Sequence, residues 1–310
     1  MQKIKFSKLM VLVLVLVMMF SLVGCGSNNS TVKDGPTISV ASKPWTEQLI
    51  LGNILIQYLE ANGYPVEDRT GLGETPVIRP ALHSGEVDIY WEYTGTTLVN
   101  QMGEEKITES QEAYDKVKAW DKEENNVIWL DYGTANNTYA LMMRDENAQE
   151  LNIETMSDLS DYINDGGNLK FASGLNFLER PDGLPGIQKA YGFQFEEENI
   201  ITMAEGLTHG ALKDEQVDVA MGFATDGRIA AFNLRALEDD KLFFPVYNVA
   251  PVIRQEVLDE YPELVELLNK ISPLLDNEML IEMNKKVDVD EREPEDVAKE
   301  FLVNNGLIEE

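Results

Sequence analysis

Aromatic and anion-binding side chains stand at the ends of predicted strands along this chain. Seven of them form the candidate site: Lys43, Tyr93, Thr96, Tyr139, Arg180, Phe223 and Tyr247. Open α/β sheets bind ligands beyond the carboxyl ends of their strands, so we expect these side chains to converge. The set contains no nucleophile. The pattern therefore indicates binding of a small ligand with a soft cationic head and a carboxylate tail.

The two kinds of side chain suit the two poles of such a ligand. A trimethylammonium head has no N–H donor, but aromatic faces attract it by roughly 0.5–1 kcal/mol each when exposed and about 2 kcal/mol when desolvated. At the other pole, Arg180 can meet a carboxylate with two N–H donors, Lys43 as a point charge and Thr96 through its hydroxyl. Together the two poles would distinguish a zwitterion from a bare cation.

Each candidate also has a simpler interpretation. Buried tyrosines are usually core residues whose hydroxyls are hydrogen-bonded. Lys43 could be solvated, Arg180 could pair with Asp182 or Glu179, and Thr96 could cap a helix. Trp45 and Trp91 are expected to pack near the hinge between the two predicted domains, without contact to a ligand.

Strand and helix patterns alternate along the chain, which predicts doubly wound α/β domains. Strands are expected at 37–42, 87–93, 127–132, 138–143, 169–173 and 217–223, and helices at 46–62, 75–84, 111–124, 156–163, 208–214 and 227–232. From Pro251 onward the pattern is mostly helical, with helices at 256–271, 278–285 and 294–304. No long linker divides the chain. We therefore expect a central block inserted between two parts of a first domain, with a hinge of two crossings; one large sheet is the alternative.

Charge and composition exclude several functions. The chain carries 25 lysines and arginines against 55 aspartates and glutamates, a net charge of −30. Nucleic-acid binding needs a basic face and is not expected. The sequence has neither a catalytic motif nor a cluster of histidines and cysteines, so we expect no enzyme activity, no metal and no cofactor. Of the two histidines, His209 is expected at a helix start or on the surface.

The N-terminus has the pattern of a bacterial lipoprotein signal. Lys3, Lys5 and Lys8 precede an apolar run at 9–23, and Leu-Val-Gly-Cys-Gly follows with Cys25, the only cysteine. This pattern predicts a signal peptide at 1–24 and lipidation of Cys25. Residues 25–36, rich in Ser, Asn and Gly, would form a flexible tether. An uncleaved anchor is the alternative.

Six motifs in order resemble the substrate-binding lipoproteins of ABC importers for glycine betaine, carnitine, choline and related quaternary amines. The motifs are SKPWTEQLILGN, ALHSGEVDIYWEYTGT, NNTYAL, RPDGLPG, FATDGRIAAFNL and LEDDKLFFPVY. The resemblance runs from about residue 37 to the last residues. It implies a type II periplasmic-binding-protein fold, with one lobe from 37–136 plus 245–310 and a second from 137–244.

The resemblance also assigns roles. It implies an aromatic cage of Tyr93, Tyr139, Phe223 and Tyr247, a carboxylate side of Lys43, Thr96 and Arg180, and Gln48 and Asn137 as further lining residues. Phe223 stands where the family usually has a tyrosine, so a ring is kept and a hydroxyl is lost. The implied partners are a quaternary amine, an ABC permease and its ATPase, at the outer face of the cell membrane. A choline-selective protein, a ligand-sensing receptor domain and an enzyme are the alternatives.

Overall fold

Two five-stranded sheets form the framework of the computed structural model, which describes residues 33–309. The predicted signal peptide, Cys25 and most of the predicted tether lie outside these residues. The ten strands are β1 Ile38–Ala41, β2 Val66–Arg69, β3 Ile89–Tyr93, β4 Val127–Trp129, β5 Tyr139–Arg144, β6 Phe171–Ser173, β7 Ile200–Thr202, β8 Val219–Phe223, β9 Leu234–Ala236 and β10 Val249–Arg254.

Fourteen α-helices cover these sheets within the described residues. They are α1 Thr46–Ala61, α2 Thr75–Ser84, α3 Thr94–Thr96, α4 Ser110–Asn125, α5 Asp145–Leu151, α6 Met156–Asn164, α7 Leu175–Glu179, α8 Leu184–Tyr191, α9 Thr208–Lys213, α10 Arg228–Ala231, α11 Gln255–Glu260, α12 Leu264–Leu268, α13 Asn277–Asp288 and α14 Pro294–Asn304. A π-helix, Thr97–Gln101, continues α3, and short 3₁₀ turns lie at Glu197–Asn199, Glu205–Leu207 and Ser272–Leu274. No helix of residues 33–309 has the length and apolar character needed to cross a membrane.

The two sheets have the same arrangement of strands. The first has the order β2-β1-β3-β10-β4 and the second β7-β6-β8-β5-β9. In each sheet the first three strands are parallel, and the fourth runs antiparallel to both its neighbours. The chain leaves the first sheet after β4 and returns to it at β10. This topology is the α/β fold with two lobes that the sequence predicted, whereas the lobe limits 136/137 and 244/245 remain a prediction.

A shared core joins the elements of both sheets. Buried apolar side chains of the first sheet, such as Ile89, and of the second, such as Phe171, belong to one continuous cluster. Helix α1 contributes Leu51 and Leu55, and α14 packs against α1. Burying each such side chain stabilises the fold by roughly 1.5–3 kcal/mol.

The C-terminal part differs from the prediction in two places. Pro251 lies inside strand β10, at the start of a part of the chain that was predicted to be mostly helical. The predicted helix 256–271 is divided into α11 and α12 because Tyr261, with φ −129° and ψ 68°, precedes Pro262. A residue before proline is disfavoured in the helical region, which explains the break. At the start of α1, Trp45 is the N-cap residue and Thr46 begins the helix, as the predicted bounds 46–62 require.

Candidate functional site

All seven candidate residues line one cavity. The complete lining is Lys43, Trp45, Glu74, Thr75, Tyr93, Thr96, Asn137, Tyr139, Asn176, Arg180, Glu205, Phe223 and Tyr247. Residues of the first sheet and of the second sheet both contribute. The structure thus brings the seven candidate residues together, while their binding role remains a prediction.

The cage aromatics come from strand ends of both sheets. Tyr93 ends β3, and Tyr247 lies two residues before β10. Tyr139 begins β5 and Phe223 ends β8, and these two residues are directly paired across the strands. The ring of Tyr139 is 5.1 Å from that of Phe223 and 5.5 Å from that of Tyr247, the latter nearly perpendicular. The strand ends therefore aim the rings at one space.

Gly95 makes room for Tyr247. A Cβ atom at Gly95 would lie 2.8 Å from the ring of Tyr247 and 2.8 Å from the carbonyl oxygen of Val246, closer than such atoms can approach. The glycine of the WEYTGT motif is thus required by the close approach of a cage tyrosine. Next to it, Thr96 is buried and faces the cavity.

Trp45 lines the cavity, although it was predicted to pack near the hinge without contact to a ligand. Its ring stacks on Phe223 with centroids 5.0 Å apart and lies 5.7 Å from the ring of Tyr93. Trp45 follows β1 by four positions, on the same strand-to-helix connection as Lys43. The position after a strand, which identified Lys43, could have identified Trp45 too.

The buried carboxylate of Glu47 supports the cage through hydrogen bonds with residues that line the cavity. Glu47 in α1 is 2 % exposed and accepts hydrogen bonds from Tyr93 Oη at 2.7 Å and Thr225 Oγ1 at 2.6 Å. It also accepts from Nδ2 of Asn137 at 2.8 Å and from Nδ2 of Asn284 at 3.0 Å. Burial raises the pKa of Glu47, although these hydrogen bonds lower it. Glu47 thus fixes the Tyr93 hydroxyl and joins α1 to the segment after β8.

Lys43 is paired with an acid of its own lobe. Its Nζ donates to Oε1 of the fully buried Glu92 at 2.7 Å and lies 5.2 Å from the centroid of the Tyr93 ring. Burial by itself would raise the pKa of Glu92, but the ion pair with Lys43 and the hydroxyl of Tyr90 hold it below its ordinary value. The charge of Lys43 is therefore largely balanced within the protein.

Arg180 is balanced in the same way. Its Nε and Nη2 donate to the two oxygens of Asp182 at 2.8 and 2.7 Å, and its guanidinium carbon lies 5.0 Å from the centroid of the Tyr139 ring. The hydroxyl of Tyr247 donates to the same carboxylate. The simpler interpretation of Arg180, a pair with Asp182, is thus present in the structure, and Nη1 keeps its N–H donors without a partner among the described residues.

Two acidic residues in the lining were missed. Glu74 is the N-cap residue of α2, in the connection that follows β2, and Glu205 follows β7 by three positions. Burial raises the pKa of both carboxyls, and that of Glu205 rises to about 7 because Glu74 also acts on it. Both positions lie beyond the carboxyl end of a strand, the signal that identified the other residues.

The two less certain predictions have different outcomes. Asn137 lines the cavity, whereas Gln48 is fully buried in α1 and lies outside the lining. Gln48 instead accepts a hydrogen bond from the backbone N–H of Lys43 at 3.4 Å, so it supports the loop that carries Lys43.

The predictions for His209 and for metal binding concern residues outside the cavity lining. His209 is the second residue of α9, at a helix start as predicted, but it is 1 % exposed rather than on the surface. Its Nε2 lies 3.1 Å from Oδ2 of Asp226. Between residues 33 and 309, no three His, Cys, Asp or Glu side chains are grouped so as to hold a metal ion.

Comparison with known proteins gives the class. Residues 36–304 match the OpuAC family, described as the substrate binding domain of ABC-type glycine betaine transport systems. The chain is 38 % identical over 276 residues to the glycine betaine-binding protein YehZ of Escherichia coli, covering 87 % of this chain and 90 % of YehZ. It is 38 % identical over 293 residues to the carnitine transport binding protein OpuCC of Listeria monocytogenes, covering 93 % and 92 %.

A solved structure agrees with these relatives. The crystal structure of a glycine betaine/carnitine/choline ABC transporter protein aligns with a TM-score of 0.71 at 30 % identity, covering 88 % of this chain and 98 % of that one. The chain belongs to the OpuAC family of substrate-binding domains. It is a binding protein of an ABC transport system rather than an enzyme, and it works outside the cytoplasm with a permease.

Proposed function

We propose that this protein captures glycine betaine or a related quaternary-ammonium solute in the cavity of Tyr93, Tyr139, Phe223 and Tyr247 and delivers it to its permease. The observation that carries the proposal is the convergence of four aromatic rings from both sheets on one cavity. Names of relatives that bind glycine betaine and carnitine support the same ligand class.

The rings would supply the attraction for the cationic head. Each face contributes about 2 kcal/mol when water is excluded, so three or four faces contribute several kcal/mol. Burying the methyl groups adds roughly 25 cal/mol per Å² of apolar surface. The spare N–H donors of Lys43 and Arg180, with the hydroxyl of Thr96, would meet the other end of the ligand.

Closure would follow from the placement of the rings. Tyr93 belongs to the first sheet, while Tyr139 and Phe223 belong to the second. A ligand that touches all three gains contacts only when the lobes are close together, so it favours the closed arrangement by its differential affinity. The closed form would then dock on the permease.

The membrane attachment belongs to the same proposal. The motif around Cys25 supports cleavage before this residue and diacylation of its thiol, which would tether the protein at the outer face of the membrane. Each buried methylene of the lipid would contribute roughly 0.8 kcal/mol, so two or more chains anchor the protein firmly. Radioactive palmitate labelling of wild-type and Cys25→Ser protein tests this step, and equal labelling of both would contradict it.

Calorimetric titration with glycine betaine, carnitine, proline betaine, choline and proline tests the cage. We expect Tyr93→Ala and Tyr139→Ala each to weaken binding of the preferred onium ligand by about tenfold or more, because each removes one aromatic face. Tyr139→Phe is the matched control, since it keeps the ring and its hydroxyl makes no hydrogen bond among residues 33–309. Undiminished affinity in both alanine variants would refute the cage.

A further inference from the structure

The cavity contains more unpaired acid than unpaired base. Lys43 is paired with Glu92 and Arg180 with Asp182. Glu74 and Glu205 also line the cavity, yet within residues 33–309 neither carboxylate makes a hydrogen bond or an ion pair. With these two carboxylates ionised, the six charged groups carry a net charge of −2.

A third acceptor lies in the same cavity. Asn137 is 4 % exposed and presents its Nδ2 to Glu47, whose carboxylate can only accept. This orientation fixes Oδ1 as the remaining group of the amide, and Oδ1 is buried without a hydrogen-bond partner. Leaving such a group unpaired costs free energy, so a donor from a ligand would be stabilising.

We propose that Glu74 and Glu205, with Asn137 Oδ1, form an acceptor pole that selects for an O–H or N–H donor at the end of the ligand opposite its onium group. This inference rests on the proposed function, because it concerns the same cavity. A carboxylate at that end has to share the spare donors of Lys43 and Arg180 with two nearby negative charges. A hydroxyl, as in choline, gains an acceptor and keeps the attraction of a net negative cavity for its cationic head.

The protonation of Glu205 links this selection to pH. The charged groups that act on Glu205 are Glu74 at the start of α2, Arg180 after α7 and Lys43 after β1. Burial and Glu74 raise the pKa of Glu205 to about 7, although Arg180 and Lys43 lower it. Below that pH the acceptor pole loses negative charge, which should favour glycine betaine and weaken choline.

Titration with choline and glycine betaine tests the acceptor pole, because the two ligands have the same trimethylammonium head. The measured quantity is the Kd for glycine betaine divided by the Kd for choline, at about pH 8.5 and about pH 6. We expect Glu74→Gln/Glu205→Gln to lower this ratio by about tenfold or more at the higher pH, since both substitutions remove charge near the ligand carboxylate. In Glu205→Gln the ratio should lose most of its pH dependence.

An exposed glutamate serves as the control, and different outcomes would contradict the acceptor pole and the proposed function. Glu150→Gln, an exposed position on α5, should leave the ratio unchanged. A ratio that stays the same in the double variant overturns the acceptor pole but leaves the proposed function intact. If no onium ligand binds the wild-type protein, the proposed function fails, and this inference with it. Because both ligands are measured on one preparation, the ratio does not depend on the folded fraction.

Discussion

The indole of Trp45 stacks on the ring of Phe223, with centroids 5.0 Å apart and planes 7° from parallel. Trp45 lies between β1 and α1 of the first sheet, whereas Phe223 ends β8 of the second sheet. The contact therefore joins the two sheets at the edge of the cavity. We expect a movement that opens the cavity at this edge to separate the two rings.

Tryptophan fluorescence should report this movement. The chain has four tryptophans, of which Trp91 and Trp129 are fully buried and Trp120 lies on α4, outside the cavity lining. We expect a saturating onium ligand to change the emission of wild-type protein and of Trp120→Phe, because Trp45 loses contact with water. The change should disappear in Trp45→Phe. An equal change in Trp45→Phe would show that the signal comes from another tryptophan.

Periodicity predicted the elements whose two faces differ clearly. Helix α14 has the predicted bounds, and α2 begins and ends where the sequence placed it. Strand β10 was missed because proline is rare within a sheet. Here Pro251 accepts a hydrogen bond from the N–H of Leu130, and the carbonyl of Leu130, which a donor at position 251 would face, accepts from the hydroxyl of Tyr114 at 2.8 Å instead. Only the three-dimensional pairing shows that the proline is tolerated.

The candidate site was predictable in its members but not in its charge balance. A strand end identifies Lys43 as a cavity residue, since that location follows from local pattern. Arg180 was also expected at a strand end, but it follows the short helix α7, so its place in the cavity was predicted only by the resemblance. The partner of Lys43 is Glu92, which lies 49 residues away and joins it only through the pairing of β1 with β3. Such long-range contacts cannot be predicted from a local sequence pattern. The same holds for the approach of Glu74 to Glu205.

The ion pair of Arg180 and Asp182 leads to a test of whether Arg180 contacts the ligand or only neutralises Asp182. Arg180→Ala should weaken glycine betaine by about tenfold or more, because it removes a charge-assisted donor and leaves Asp182 unbalanced. Choline should be affected less. The double variant Arg180→Ala/Asp182→Ala removes both charges, and calorimetry on wild type, both single variants and the double variant gives the coupling free energy between Arg180 and Asp182. If Arg180 contacts the ligand carboxylate, the double variant remains weak for glycine betaine; full recovery would mean that Arg180 only neutralises Asp182.

Glu47 should contribute strongly to stability. Four donors converge on its carboxylate, so a glutamine amide would bring its own donors against them. We expect Glu47→Gln to lower the free energy of unfolding by about 3 kcal/mol, as for other disrupted buried polar networks. Urea denaturation measures the change. Glu60→Gln, an exposed position on the same helix, should stay within about 0.5 kcal/mol of wild type. A similar loss in both variants would contradict a special role of Glu47.

His209 should make stability fall in mild acid. Burial lowers the pKa of His209 from 6.5 to about 4, although Asp226 raises it. Asp226 is already paired with Arg228, whose Nε donates to Oδ1 at 2.9 Å, so little charge remains to hold a proton on the imidazole. Between about pH 6.5 and pH 4 the unfolded chain binds a proton at this residue that the folded protein does not.

The direction and size of the effect follow from this difference in proton binding. The free energy of unfolding should decrease as the pH falls from about 7, with a loss from His209 that reaches about 3 kcal/mol near pH 4 and then levels off. Denaturation of wild type and of His209→Gln over this range isolates the contribution, because the glutamine does not titrate. The wild-type protein should lose more stability than the variant as the pH falls. Parallel curves for wild type and His209→Gln would show that the imidazole is protonated in the folded protein as readily as in the unfolded chain.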